Sequence, residues 1–350
     1  MTRLTRFSPW LALACLFTAA TPLHAQEKVL NIYSARHYQT DEVMYEQFTK
    51  TTGIKINRVD TDDAGLITRL KAEGSASPAD VVLLVDAARM ASADSQGLFR
   101  PIKSAKLDAA IPSNLRAAPT ADGITWTGFS TRARVIVYDP LRVKPTDVAS
   151  YEQLADPKLR GLFCSRSGSH PYNLSLFTTV VERLGDAKGE AWLKGLVANM
   201  ARSPKGGDTD QIKAVASGEC GVALSNTYYI ARLVKSGKPE DRALMERVRV
   251  MFPNQETSGT HVNIAGAAVA KNSPNVANAV LFMEYLATPF AQEYFANGNN
   301  EYPVVKDVKI DNPALKAIGG ASFKAENIPL GVVAKNLTKV QQILDRAGYQ

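Results

Sequence analysis

Gly221–Leu233, GVALSNTYYIARL, opens as an apolar run, passes through Ser225, Asn226 and Thr227, and continues with helical spacing, leaving Tyr228 and Tyr229 at the junction. A short apolar strand that leads at once into a helix is the repeating unit of an α/β sheet. In such sheets ligands bind outside the carboxyl ends of the strands, so the two tyrosines stand where a ligand would be met. Two other strand ends carry similar chemistry. VLNIYSARHYQTDE (29–42) runs into His37 and Tyr38, and GLFCSRSGSHPYN (161–173) runs into Tyr172.

The same alternation extends along the chain. Periodicity predicts strands near 29–33, 54–59, 81–85, 135–138, 162–165, 222–225, 248–252 and 262–270, separated by amphipathic helical stretches. This pattern argues for α/β lobes with mostly parallel sheets. If the first 25 residues are removed, 350 − 25 = 325 remain, more than one hydrophobic core usually supports, so two lobes are expected.

The N-terminus reads as a secretory signal peptide (1–25). Arg3 and Arg6 precede a short apolar stretch, and Leu23-His24-Ala25 offers a cleavage site. The apolar stretch is much shorter than the roughly 20 residues of a membrane span, so an exported protein that is not membrane-inserted is expected. The whole chain carries 41 Lys and Arg against 34 Asp and Glu. Cleavage removes two arginines, leaving 39 − 34 = +5. The basic residues are scattered, which gives no reason to expect a nucleic-acid partner. Of the three cysteines, Cys164 and Cys220 remain after cleavage. An exported location permits their oxidation, and a disulfide between their two strands is expected.

Four tyrosines and a histidine that converge would suit a hard cation. A phenol is protonated at neutral pH, with a pKa near ~10, but a highly charged cation favours the phenolate, and hard oxygen donors match Fe(III). Zinc would draw cysteine and histidine, and calcium carboxylates and carbonyls; neither spacing occurs. Four phenolates on Fe(III) leave 3 − 4 = −1, which an arginine could offset. Arg132 and Arg134 alternate along a strand and so face one side.

RHYQTDE (36–42), SPADVVLL (77–84), STRARVIVYD (130–139), SHPYN (169–173), and GEC (218–220) followed by SNTYY (225–229) together resemble the periplasmic ferric-iron-binding proteins of ABC importers. The likeness is to the branch with a His-Tyr pair at the first strand end. It implies a two-lobe type II periplasmic binding fold, with an N-lobe of 26–131 plus 253–306 and a C-lobe of 132–252 plus 307–350. His37, Tyr38, Tyr172, Tyr228 and Tyr229 would take the metal positions, and Arg132 the position of a synergistic anion such as carbonate. By the same resemblance the protein is a monomeric, non-enzymatic periplasmic receptor that hands Fe(III) to an inner-membrane ABC permease. Ferrous iron, or a cationic organic solute such as a polyamine or thiamine held by an aromatic box, would use the same fold. An exported hydrolase would need a GxSxG elbow or an HExxH motif, and the chain has neither.

Overall fold

A computed structural model describes residues 28–36, 38–327 and 330–350; the segment read as a signal peptide and His37 lie outside them. Among the described residues ten strands form one sheet: β1 (Val29–Ser34), β2 (Lys55–Asp60), β3 (Val81–Val85), β4 (Phe99–Arg100), β5 (Trp126–Tyr138), β6 (Phe163–Cys164), β7 (Val222–Asn226), β8 (Arg249–Met251), β9 (Val262–Ala270) and β10 (Tyr302–Pro303). Their main order is β2-β1-β3-β9-β5-β7-β6. The sheet is mixed, which corrects the expectation of mostly parallel pairing. β1 pairs in parallel with β2 and β3, and β6 with β7, but β9 and β5 run antiparallel to all their named neighbours.

β5 is the strand that sequence periodicity most underestimated. The pattern predicted only 135–138, yet all 13 residues from Trp126 to Tyr138 are in the strand and buried. Its first part, with Gly128, Ser130, Thr131 and Arg132, lacks the apolar signature of a buried strand; there Ser130 Oγ donates to Glu301 and Arg132 to the Ile264 carbonyl, both distant in sequence. Up to Ala133 it pairs with β9, and from Arg134 it pairs with β7. It therefore changes partners between two adjacent residues.

Hydrophobic packing divides accordingly. One core gathers Leu30, Phe48, Leu83, Phe129, Ile264 and Phe282 among others. Beyond Arg134 the two faces of β5 feed separate clusters: Ile136 and Tyr138 pack with Phe177 and Trp192, while Val135 and Val137 pack with Ile212 and Ile230. That split follows from the two-residue alternation of a strand. The last helix, Leu330–Ala347, reaches both sides: Leu330 and Val333 join the first core, and Val340, Ile343 and Leu344 the second.

Cys164 at the end of β6 and Cys220, just before β7, form the expected disulfide, with Cα atoms 5.9 Å apart. It ties together the two neighbouring strands that lead to Tyr172 and Tyr228. Replacing both cysteines by serine is expected to lower the unfolding free energy by about 2–4 kcal/mol, measurable by denaturant titration of the oxidised proteins.

Candidate metal site in the cleft

Tyr38 follows β1, Tyr172 lies in the first turn of the helix Pro171–Leu184, and Tyr228 and Tyr229 lie in the first turn of the helix Thr227–Lys235. The fold brings these four side chains together. The hydroxyl oxygens of Tyr172 and Tyr228 are 3.2 Å apart. The Tyr228 ring meets Tyr38 edge-on at 5.8 Å between centroids and Tyr229 at 4.2 Å. Tyr38 follows β1, which feeds the first core, while Tyr172, Tyr228 and Tyr229 begin helices that feed the other two clusters. Tyr228 is buried, and the other three are half-buried.

Local sequence explains these positions. His170 caps its helix, its Nδ1 accepting from the Tyr172 amide at 3.2 Å, and Pro171 occupies the first turn, where a missing N–H is harmless. The His170 ring lies 4.6 Å from that of Tyr172. Burial, followed by Arg166 and Arg134, pushes its pKa down to about 3, so it is a neutral neighbour of the site. At the other helix Asn226 is the N-cap residue but makes no side-chain cap bond; its Oδ1 accepts from Arg134 instead, at 3.2 Å.

Arginines surround the rings. The Arg132, Arg134 and Arg166 guanidiniums lie 5.4, 6.0 and 5.1 Å from the Tyr172 centroid. Arg134 and Arg166 share the buried carboxylate of Asp208, which also accepts from the Asn226 amide at 2.7 Å. Arg132 donates to the Ile264 carbonyl through one terminal nitrogen, while the other, buried, has no hydrogen-bond partner among the described residues and stands 3.9 Å from Asp86. Burial raises the phenols of Tyr38 and Tyr228 above their usual value, and pushes Tyr172 up to about 12 with Arg132 pulling the other way.

Several site residues escaped sequence reasoning. Arg36 lies 4.5 Å from the Tyr38 ring and is fixed by Asp41 at 2.8 Å and Glu301 at 3.0 Å. Arg232 stands 4.7, 5.2 and 5.9 Å from the centroids of Tyr38, Tyr228 and Tyr229. A signal existed for each: Arg36 abuts the His-Tyr pair, and Arg232 follows Tyr228 at the four-residue spacing of one helix face. Nothing local marked Asp208 or Glu301. Among the described residues no group of three or more His, Cys, Asp or Glu side chains is gathered for a metal, and no helix is long and apolar enough to cross a membrane.

Two cored lobes with a polar, tyrosine-lined cleft between them define the class of a two-lobe solute-binding protein. The sequence pattern of the bacterial extracellular solute-binding proteins matches residues 43–318, and the chain belongs to that family. It is 44% identical to iron uptake protein A1 of Synechocystis, over 95% of this chain and 90% of that protein. Its fold superposes on Trichodesmium IdiA (FutA), solved with iron and citrate ligands, with a TM-score of 0.86 and 46% identity, covering 92% of this chain and all of that one. It also superposes on the Mannheimia haemolytica ferric iron-binding protein A in an open conformation, with a TM-score of 0.83 and 38% identity over 92% of this chain and 98% of that one.

Proposed function

We propose that this chain is a periplasmic receptor, not an enzyme, that captures Fe(III) in its cleft through the phenolates of Tyr38, Tyr172, Tyr228 and Tyr229 and delivers it to an ABC permease. The carrying observation is the convergence of the four tyrosines from both sides of the cleft, with two hydroxyls already 3.2 Å apart. His37, adjacent to Tyr38 in sequence, is the fifth ligand in this reading. The terminal nitrogen of Arg132 that makes no hydrogen bond among the described residues suits a synergistic anion such as carbonate, and its charge, shared with Asp86 at 3.9 Å, would offset the surplus negative charge of a tetraphenolate site. The named ligands of the relatives, iron and iron with citrate, support the assignment. A cationic organic solute fits less well, because Arg36, Arg132, Arg166 and Arg232 all lie against the rings it would stack on.

In this reading the lobes are residues 26–131 plus 253–306 and 132–252 plus 307–350, and iron joins ligands from both. Closure around a ligand is the hinge behaviour of periplasmic binding proteins, and the open form solved for the Mannheimia relative supports it here. Adding ferric citrate to metal-stripped mature protein is expected to produce a visible phenolate-to-iron charge-transfer band. A colourless, folded protein would turn the assignment toward ferrous iron or an organic ligand. Titration under anaerobic reducing conditions separates those two.

The pH dependence has a definite sign. With their pKa values raised, the phenols of Tyr38, Tyr172 and Tyr228 are protonated in the metal-free protein near neutrality. Each phenol that ligates iron must lose its proton, so affinity falls as pH falls, by about tenfold per unit for each proton released. Competition against a chelator of known pH behaviour at pH 6 and pH 8 checks this; affinity independent of pH would exclude phenolate ligation.

A further inference from the structure

Asp86 sits immediately after β3 with φ 114°, a backbone region that residues with a side chain rarely adopt. Such strain persists only where surrounding structure over-determines it, and here the surroundings do. The Asp86 amide donates to the Ile264 carbonyl at 3.0 Å, and the next amide, Ala87, donates to Asn263 Oδ1 at 2.9 Å. The carboxylate is fully buried. Its Oδ1 accepts from the Ala88 amide at 2.8 Å and its Oδ2 from Asn263 Nδ2 at 2.9 Å. These contacts all lie on its own side of the cleft.

One hydrogen bond crosses over. Ser175 Oγ donates to Asp86 Oδ1 at 2.7 Å, and Ser175 is fully buried. Ser175 lies three residues beyond Tyr172 on the helix Pro171–Leu184, on the same face. Its helix neighbours Leu176 and Phe177 belong to the second core, while Val81–Leu84 and Ala87 around Asp86 belong to the first. The strained backbone thus presents a carboxylate, held by its own lobe, to the helix that carries a candidate ligand on the other.

We propose that Asp86 and Ser175 form a closure latch, a pair of positioning residues whose hydrogen bond exists only when the lobes are shut and which slows iron release without touching iron. The inference rests on the reading of the cleft as a closing Fe(III) site. When the cleft opens, Asp86 keeps Ala88 and Asn263 and gives up its hydrogen bond to Ser175; the Arg132 guanidinium, 3.9 Å from Asp86 Oδ2 on the strand that joins the two cores, is its counter-ion. A state-specific contact of this kind is what allows a ligand to shift an open–closed equilibrium.

The test is Ser175→Ala, a small change inside a helix that removes the hydroxyl and leaves every candidate ligand in place. Wild type and variant, loaded from ferric citrate, are mixed with excess EDTA and the decay of the charge-transfer band is followed; small-angle scattering of the loaded proteins and melting of the iron-free proteins are recorded alongside. Loss of a hydrogen bond to a charged acceptor is expected to speed release about tenfold, with an unchanged band, unchanged iron-free melting and a more open loaded form. Release at the wild-type rate would overturn the latch. So would a fall in iron-free melting equal to that of the loaded form, because the contact would then be part of the resting fold. Absence of any band in wild type would overturn the ferric reading itself, and the latch as a brake on iron release with it.

Discussion

The double variant Tyr228→Phe with Tyr229→Phe is expected to lose the charge-transfer band and to bind ferric iron at least about 10²-fold more weakly than wild type. The figure is a lower bound: changes to groups behind a metal ligand already cost 10–100-fold, and this variant removes two proposed ligands outright. The fold has little reason to suffer. Phenylalanine keeps the ring contacts between Tyr228, Tyr229 and Tyr38, and the hydrogen bond given up at Tyr228 joins it to Tyr172, another proposed ligand. Unchanged melting of the iron-free protein together with loss of colour would assign the effect to ligation. A variant that retained both band and affinity would remove the pair from the ligand set.

Asp208→Ala is expected to have the largest effect on stability, about 3–5 kcal/mol, because it leaves a buried charge uncompensated. Asp208 is fully buried and pairs with Arg134 and Arg166, and Arg134 is 2% exposed. The damage would extend to the site. Asp208 also accepts the Asn226 amide at the start of the helix bearing Tyr228 and Tyr229, and Arg134 reaches Asn173 Oδ1 at 2.8 Å beside Tyr172. Burial alone would raise this carboxyl, but Arg134 and Arg166 more than offset it and hold it below the usual carboxylate range. A lowered native pKa means that the contribution is fully present above the unfolded value, near ~4, and is lost as pH falls through it toward the native one. Wild type should therefore lose stability on acidification below about pH 4, and the variant should lose less over the same interval. Denaturant titrations at pH 7, 5 and 3 check both statements; a variant that matched wild type at pH 7 would show that the cluster does not need its anion.

How much of this was legible beforehand differs between the sheet and the site. β9 was read to its ends, because Val262–Ala270 is a long apolar run bounded by polar residues. The pairing direction was not: a near-continuous apolar run suggests a parallel sheet covered on both faces, and β9 is such a run although its named neighbours are all antiparallel. The helix Ala87–Ser95 went unread as well: it is short, and its cap Asp86 adopts a conformation that nothing in the local sequence announces.

By itself the sequence determined which chemistry is available and where along the chain it falls: tyrosines at strand ends, two cysteines ahead of them, arginines alternating on one strand. Those are properties of residue type and of short-range spacing, which backbone geometry converts into position without reference to the rest of the molecule. Only the tertiary structure decided which carboxylate pairs with which arginine, because Asp208, Glu301 and Asp86 lie 74, 265 and 46 positions from Arg134, Arg36 and Arg132. The same holds for the contact between Asp86 and Ser175, 89 residues apart. A buried ion must find its partner in space rather than in sequence, and where that partner stands is fixed only when distant segments of the chain pack together.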